Sequence, residues 1–279
     1  MLLSIVTPSF RNAEWLKLCI ASVADQEGVE VEHIVQDAGS DDGTLDWLPQ
    51  DPRVTAYVEK DGGMYDAINR GLRRARGGIL AYLNCDEQYL PGVLARVRGF
   101  FQDHPDIDAV FADTIVVDPE GQFIAYRKAV RPLKHHIWVS HLPTFSCSTF
   151  FRRDLLDKHE LYFDTRWRDV GDADWVLRLL DLKVKTAVLR CYTSAFTRTG
   201  ENMNFKPNAL REKEQMHNSA PAWARRSSPL IVIHHRLRKL LQGAYWQGPF
   251  SYALYTRAHP GHRTVFSVKH PGFLLPESG

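Results

Sequence analysis

Short apolar runs alternate with amphipathic stretches through the first 113 residues of the chain. Continuous apolar runs predict strands at residues 3–7, 31–36, 54–58, 79–83 and 109–113. Apolar residues at helical spacing predict helices at residues 14–26, 64–76 and 91–102. A succession of strand–helix units predicts a mostly parallel central sheet flanked by helices, which is an α/β fold.

The pattern changes after residue 113. Residues 114–117 and 122–126 flank Asp118-Pro119-Glu120-Gly121, whose residue types favour a hairpin turn. After Asn208 the chain becomes basic and helical in pattern. We therefore divide the chain into three regions: residues 1–113, 114–208 and 209–279.

Polar residues follow the first two predicted strands, at the edge where open α/β sheets bind ligands. The first strand leads into Thr7, Pro8 and Ser9, and the second leads into Asp37. A carboxylate at a strand end can accept hydrogen bonds from a nucleotide base, and its charge makes the contact stronger than a neutral pair. The alternative is that Asp37 merely caps the turn at residues 38–40.

The most acidic strand end is Asn84-Cys85-Asp86-Glu87, which follows the buried run at residues 79–83. Mg²⁺ and Mn²⁺ prefer hard oxygen ligands and commonly take one or two carboxylates together with substrate phosphates. We therefore predict that Asp86 binds a divalent metal, with Glu87 as a supporting ligand. The alternative is a degraded site, because Asn84 brings an amide in place of a carboxylate.

Two acidic motifs precede helices. In Asp61-Gly62-Gly63 the glycines let backbone N–H groups approach a ligand, and the following helix N-terminus favours phosphate. Asp61 and Asp66 either contact that ligand or cap the helix. Asp172 and Asp174 begin a further helix, where a carboxylate held in one direction can serve as a general base or act only as a cap.

Six motifs follow one another along the chain: T-P-S-F, Q-D-A-G-S-D-D-G-T, E-K-D-G-G-M-Y-D-A-I-N-R-G-L, Y-L-N-C-D-E, T-F-F-R-R and G-D-A-D-W-V-L-R-L. In this order they resemble the family 2 glycosyltransferases of GT-A fold, and most closely the bacterial branch that builds surface polysaccharides. The resemblance covers about residues 1–200. It implies a Rossmann-like sheet and an inverting transfer of a sugar from a nucleoside diphosphate sugar to a hydroxyl of a glycan or lipid-linked acceptor.

The resemblance also implies roles for residues and regions. Residues 1–113 would bind the nucleotide sugar, residues 114–208 the acceptor, and residues 209–279 would form a basic helical extension. Mg²⁺ or Mn²⁺ would be held by Asp86 and Glu87. Asp172 would be the catalytic base, by its register to Arg178, with Asp174 as the alternative. The donor would contact Thr7, Pro8, Ser9, Asp37, Asp61, Asp66, Asn69 and Asn84.

The net charge of +2 hides a basic C-terminal region, because residues 206–279 carry 11 Lys and Arg against 3 acidic residues. No zinc-finger spacing or RNA-binding signature accompanies this charge, so we do not expect a nucleic-acid partner. Residues 229–242 predict a helix that carries an apolar stripe with basic residues on either side of it. The stripe consists of Leu230, Ile233, Leu237, Leu240 and Leu241. The stripe suits peripheral contact with an anionic membrane, and it suits packing against the catalytic domain equally well.

The four cysteines lie far apart and suggest reduced thiols of a cytoplasmic protein, at most peripheral at the inner face of the membrane. His135, His136 and His141 show no third ligand at a coherent spacing, so we expect surface or acceptor-loop roles for them. Two other functions remain open. A sugar-phosphate nucleotidylyltransferase would need a glycine-rich basic loop after the first strand, and a non-catalytic nucleotide- or glycan-binding protein would accommodate Asn84.

Overall fold

The computed structural model describes residues 1–200 and 207–274. The stretches 201–206 and 275–279, which belong to the second and third predicted regions, lie outside the described residues. The first elements match the predicted ones: β1 (Leu3–Ser9), α1 (Ala13–Ala24), β2 (Val31–Asp37), β3 (Thr55–Val58), α2 (Met64–Arg74) and β4 (Ile79–Tyr82). The four strands are parallel, in the order β3-β2-β1-β4.

The second half of the chain extends the same sheet. Its elements are β5 (Glu87–Tyr89), α3 (Val93–Asp103), β6 (Ala109–Val117), β7 (Phe123–Arg127), α4 (Lys134–Val139), β8 (Thr149–Arg152), α5 (Asp154–Asp157), α6 (Gly171–Asp181) and β9 (Thr186–Thr197). Within the described residues the sheet has nine strands, with β8 antiparallel to both β4 and β6 and β9 parallel to β6. The predicted α/β fold is confirmed.

β6 is one continuous, fully buried strand, whereas the sequence predicts a strand that ends at residue 113 and a second that begins at residue 114. The Asp113 carboxylate accepts hydrogen bonds from the Ala129 N–H (2.8 Å) and from the Arg190 guanidinium (3.1 Å). Because these partners satisfy the charge, the strand continues through a polar residue. The predicted boundary at residue 113 therefore falls inside β6, which pairs with β7 as the predicted hairpin.

The C-terminal region begins with the predicted helices and ends in strands that were not predicted. The helices are α7 (Pro207–Ser219), α8 (Ala222–Arg226) and α9 (Ser228–Leu241), and an antiparallel hairpin of β10 (Phe250–Leu254) and β11 (Thr264–Val268) follows. Tyr252 and Leu254 of the hairpin are buried in the same apolar core as β1 and α3. In the described part of the chain, no helix is long and apolar enough to cross a bilayer.

Two apolar layers cover the two faces of the sheet. One contains Cys19 of α1 and Phe101 of α3, and the other contains Leu72 of α2 and Trp175 of α6. The second layer matters for the site, because it packs α2 and α6 on one face of the sheet. The loops that lead into these two helices touch, since the Arg168 guanidinium donates a hydrogen bond to the Gly62 carbonyl.

Candidate active site

The carboxyl ends of β1 and β2 place Ser9 opposite Asp37. Thr7 points into the interior, where its hydroxyl lies 2.9 Å from Nε2 of His33. Pro8 is buried, and the buried Ser9 hydroxyl has no hydrogen-bond partner among the described residues. Of the three predicted donor residues on β1, Ser9 is the one that brings an unsatisfied polar atom to this edge.

The Asp37 carboxylate is fully buried and caps its own turn. Its Oδ1 accepts hydrogen bonds from the N–H groups of Gly39 (2.9 Å) and Ser40 (2.7 Å), and its Oδ2 accepts one from the Ser40 hydroxyl (2.8 Å). The capping alternative thus describes these contacts, and a contact between Asp37 and a nucleotide base stays a prediction.

Two carboxylates hold the loop before α2. Asp61 accepts a hydrogen bond from the Gly63 N–H (2.8 Å), and Asp66 accepts hydrogen bonds from the Gly62 N–H (2.9 Å) and from Arg70 (2.8 Å). Burial raises the pKa of Asp61 despite the hydrogen bond from Gly63. Both carboxylates therefore have the capping role, and their contact with a donor stays a prediction.

Asn69 is buried, and both polar atoms of its side-chain amide form hydrogen bonds within the protein. Its Nδ2 donates to the Phe163 carbonyl (2.8 Å), and its Oδ1 accepts from the Phe163 N–H (2.9 Å). Asn69 thereby ties α2 to the segment that precedes α6. The structure gives Asn69 a structural role, and its contact with a donor stays a prediction.

Asn84, Asp86 and Glu87 form an acidic corner after β4. Glu87 is fully buried, and its Oε2 accepts a hydrogen bond from the Asn84 N–H (2.8 Å). Removal from water raises the pKa of Asp86 and of Glu87, and the charge of Asp86 raises the pKa of Glu87 further. Oε1 of Glu87 and Oδ1 of Asn84 are both buried without a hydrogen-bond partner among the described residues.

The acidic corner fits a divalent metal ion. Buried polar oxygens are normally paired, and a cation would satisfy the two that are orphaned here. Carboxylate and amide oxygens are the hard ligands that Mg²⁺ and Mn²⁺ prefer, and a nearby cation would favour the ionised form of both carboxyl groups. Asp86 and Glu87 could therefore hold the metal, with Asn84 beside them.

A cavity of about 940 Å³ lies between α4, α6 and α7, and Asp172 lines it. Removal from water raises the pKa of Asp172 to about 6. Asp174 is not among the residues that line the cavity and instead forms an ion pair with Arg178 (2.8 Å). The geometry therefore favours Asp172 over Asp174 as the carboxylate that could meet an acceptor.

The buried Tyr82 lies within electrostatic reach of Asp172 in the cavity wall and of Glu87 in the acidic corner. Burial raises the pKa of the Tyr82 phenol, and the negative charges of Asp172 and Glu87 raise it further. Ser146 lines the cavity, and the next residue, Cys147, is fully buried. Asp172 and Glu87 thus lie within electrostatic reach of the same buried phenol.

Tyr65 and Gly171 position the first turn of α6. The Tyr65 hydroxyl, from α2, accepts a hydrogen bond from the Asp172 N–H (3.1 Å). A Cβ atom on Gly171 would lie 2.6 Å from the Tyr65 ring, so a side chain at this position would force the two helices apart. The D-G-G-M-Y-D motif therefore contributes a residue that orients the candidate base.

Glu212 of α7 was not among the predicted site residues. It is 4% exposed, and its carboxylate accepts hydrogen bonds from the N–H groups of Arg168 (2.9 Å), Asp169 (2.9 Å) and Val170 (3.2 Å). Glu212 thus holds the loop that leads into Asp172. The one signal in the sequence is that it is among the 3 acidic residues of the basic region at residues 206–279.

Comparisons with known proteins agree with the predicted resemblance. The model of glycosyl transferase family 2 matches residues 4–163, which is more than half of the chain. A PGL/p-HBAD biosynthesis glycosyltransferase of Mycobacterium bovis is 36% identical over 119 residues, which cover 40% of this chain and 46% of the relative. The chain thus spans about half the length of the curated relatives it matches first.

Two solved structures share the fold. Staphylococcus aureus TarS 1–349 in complex with UDP-GlcNAc has a TM-score of 0.60 at 18% identity, over 86% of this chain and 73% of that chain. The mannosyltransferase PcManGT of Pyrobaculum calidifontis, in complex with GDP-Man and Mn²⁺, has a TM-score of 0.54 at 15% identity, over 86% and 78%. These likenesses concern the fold. Because the family model covers more than half of its length, the chain belongs to glycosyl transferase family 2.

Proposed function

We propose that this glycosyltransferase moves a sugar, with inversion, from a nucleoside diphosphate sugar to a hydroxyl of a glycan or lipid-linked acceptor in bacterial polysaccharide synthesis. The observation that carries the proposal is the position of Asp172 in the cavity wall, with Asp172 and Glu87 of the acidic corner both within electrostatic reach of Tyr82. One carboxylate thus borders space for an acceptor. A separate acidic pair follows β4, at the sheet edge where ligands bind in α/β folds.

The ligands of the solved neighbours support the choice of donor. TarS was solved with UDP-GlcNAc, and the mannosyltransferase was solved with GDP-Man and Mn²⁺. We carry over to this chain a nucleoside diphosphate sugar and Mg²⁺ or Mn²⁺. Asp86 and Glu87 would hold the metal, which when bound neutralises negative charge on the departing diphosphate.

Asp172 serves as the general base in this proposal. Its ionised carboxylate takes the proton of the acceptor hydroxyl while that oxygen attacks the anomeric carbon. The bond from this carbon to the diphosphate oxygen breaks, and the diphosphate leaves with the electron pair. Attack from the face opposite the leaving group inverts the anomeric centre. Tyr65 and Glu212 hold the backbone around Asp172, so its carboxylate is directed before the substrate arrives.

A panel of donors tests the proposal. The full chain is incubated with UDP-, GDP- and dTDP-sugars, with and without Mn²⁺, and release of the nucleoside diphosphate is measured. We expect turnover that depends on Mn²⁺. Asp86→Ala should abolish turnover and metal-dependent donor binding while the protein stays folded. Asp172→Asn should keep donor affinity but lose at least about a hundredfold in transfer, the usual scale for a general base.

Asp174→Asn is the matched control for Asp172→Asn. A larger loss in the Asp174 variant would move the base to that residue. Near-normal activity of Asp86→Ala would remove Asp86 from the metal site. Donor binding without any turnover would instead indicate a binding protein, and synthesis of the nucleotide sugar from a sugar phosphate would indicate a nucleotidylyltransferase.

We further propose that α9 holds the enzyme at the anionic inner face of the membrane, where a lipid-linked acceptor is presented. The helix packs inward through Ile231 and His235, whereas its apolar stripe is exposed, from 49% at Leu237 to 77% at Leu241. The packing alternative therefore does not account for the stripe. The basic excess of residues 206–279 complements anionic lipid, and this combination of exposed apolar and basic residues is typical of interfacial helices.

A further inference from the structure

Histidines from two helices meet where α4 packs against α9. α4 contributes His135 and His136, and α9 contributes His234. The centroids of these three rings lie 4.5 to 5.7 Å apart. The sequence predicts surface or acceptor-loop roles for His135, His136 and His141 because no third ligand stands at a coherent spacing. That ligand comes from almost a hundred residues away, as the separation of 98 between His136 and His234 shows.

The three side chains have the geometry of a metal site. One nitrogen from each of His135, His136 and His234 lies within 4.8 Å of the other two. Nε2 of His136 and Nδ1 of His234 are 3.0 Å apart. Two nitrogens that each lie about 2.0–2.1 Å from a tetrahedral zinc ion are separated by roughly 3.4 Å. The 3.0 Å separation is close to this spacing, and the His135 and His234 rings are less buried than His136, which gives them room to adjust toward it.

Burial favours the neutral form of two of the three imidazoles, those of His135 and His136. Burial lowers the pKa of His136 to about 3, with further lowering by neighbouring histidines and Arg238. Burial also lowers the pKa of His135, with further lowering by His234 and Arg238. Neutral imidazole is the form that binds metal ions, so the surroundings of His135 and His136 are compatible with the ligand role that the geometry gives them.

His235 supports the His136 ring from the other side. Its Nδ1 lies 3.0 Å from Nδ1 of His136, whereas Nε2 of His136 faces His234. In metal-binding histidines the second ring nitrogen commonly faces such a polar partner, which fixes the orientation of the ring. The Arg238 guanidinium is 3.4 Å from the same Nδ1 of His136, and the Lys239 ammonium faces His141 at 3.2 Å. Both cations therefore contact atoms other than the proposed ligand nitrogens of His136 and His234.

We propose that His135, His136 and His234 form a zinc site with its fourth position open to solvent beside the exposed His234. Imidazole nitrogens suit Zn²⁺, whereas the oxygens of Asp86 and Glu87 suit Mg²⁺ or Mn²⁺, so the two sites differ in chemistry. Zinc at this point joins α4, whose residues line the cavity, to α9. It thereby fixes the direction in which the exposed stripe of α9 faces.

Zinc binding by the full chain, purified without a histidine tag and stripped with a chelator, tests the site. Titration with ZnCl₂ should show one tight equivalent and a rise in Tm, because a ligand that binds only the native state stabilises it. His234→Ala and His135→Ala should weaken binding by at least about a hundredfold, since even outer partners of metal ligands change affinity about 10–100-fold. Co²⁺ should give the visible absorption bands of a low-coordinate nitrogen site.

Two control variants separate this site from other zinc binding. His159→Ala removes an exposed histidine outside the cluster, and Asp86→Ala removes the proposed oxygen site; both should keep the tight equivalent. Circular dichroism verifies that His234→Ala, at an exposed position, is folded. The proposal is overturned if the wild-type chain binds no Zn²⁺ tightly, if folded His234→Ala binds it equally well, or if Asp86→Ala abolishes the binding.

Discussion

The half-buried carboxylate of Asp172 sets the pH at which the proposed base can work. Its pKa is raised to about 6, first by removal from water. A base acts in its ionised form, so we expect kcat/KM for transfer to fall as the pH drops below about 6 and to level off above it. The measurement is a pH profile of nucleotide release under subsaturating donor. Asp174→Asn should keep this profile, and a wild-type rate that stays flat down to pH 5 would contradict the assignment.

The buried Glu87 should lower the free energy of unfolding at neutral pH. Burial and the charge of Asp86 raise the pKa of Glu87 in the folded state above its value in the unfolded chain. The protonated form therefore contributes stability at a pH below the unfolded-state pKa. This contribution is lost as the pH rises through the folded-state pKa. Glu87→Gln mimics the protonated form. We expect it to raise the free energy of unfolding at pH 8 by about 1–2 kcal/mol, since each unit of pKa shift corresponds to about 1.4 kcal/mol.

Urea denaturation of both proteins at pH 8 and pH 4 measures this difference, which should shrink toward the lower pH. Glu27→Gln, which changes an exposed glutamate, should be neutral at both. Added Mn²⁺ should stabilise the wild type more than Glu87→Gln, because the variant lacks one proposed ligand. Equal stability of wild type and variant at pH 8 would show that Glu87 is not strained there.

Glu212 should act as a positioning residue for the proposed base. Glu212→Gln leaves one oxygen to accept from three backbone N–H groups, and an unsatisfied buried donor costs about 1–3 kcal/mol. We expect a kcat at least about tenfold lower, with little change in the KM for the donor, because a misplaced base slows the chemical step. Steady-state kinetics measures this split. A variant that loses only thermal stability, with kcat intact, would limit Glu212 to a structural role.

At the scale of single residues, the types of residue at the site could be predicted from the sequence, but their hydrogen-bond partners could not. The acidic corner at Asp86 and Glu87 was predicted because oxygen ligands at a strand end have one common use. Thr7 and Asn69 were assigned to the donor by resemblance, yet their polar atoms bond to His33 and to the Phe163 backbone. Such partners are distant in sequence and become neighbours only when the chain packs.

At the scale of the elements, the exposed apolar stripe of α9 leads to a prediction about membrane binding. We expect the full chain to sediment with anionic vesicles at low salt and to be released at high salt, because charge attraction is screened. The double variant Ile233→Glu, Leu237→Glu should not bind, since it places charges on the exposed stripe. Val265→Glu changes an equally exposed apolar residue on β11 and should bind normally. No sedimentation of the intact chain would end the membrane proposal.

Two of the failed element predictions, the C-terminal hairpin and β6, have different physical reasons. The strands β1 and β4 are wholly buried, so their apolar runs stand out from the sequence. β10 and β11 are only partly buried, and nine residues that include His259, Pro260 and Gly261 separate them, so their alternation is weak. β6 was divided in two because the side chains that satisfy Asp113 cannot be known before folding.

At the scale of the whole molecule, the fold and the family could be predicted from the order of the motifs. Each motif lies at the end of a strand of the central sheet or at the start of a helix that packs on it. The cavity could not be predicted in the same way. Its walls come from α4, α6, α7 and α9, which are brought together by packing and not by any shared motif. The zinc proposal depends on the same kind of long-range contact, between α4 and α9.

Through Glu212, helix α7 becomes part of the proposed active site, because this carboxylate holds the loop that leads into Asp172. The region that matches the family model ends at residue 163, before both Asp172 and the helix that steadies it. We expect a chimera that exchanged this segment between relatives to keep the proposed donor residues and to lose the contacts that direct the proposed base. Specificity for new acceptors is then more safely transplanted by changing cavity-facing side chains one at a time, with α7 left in place.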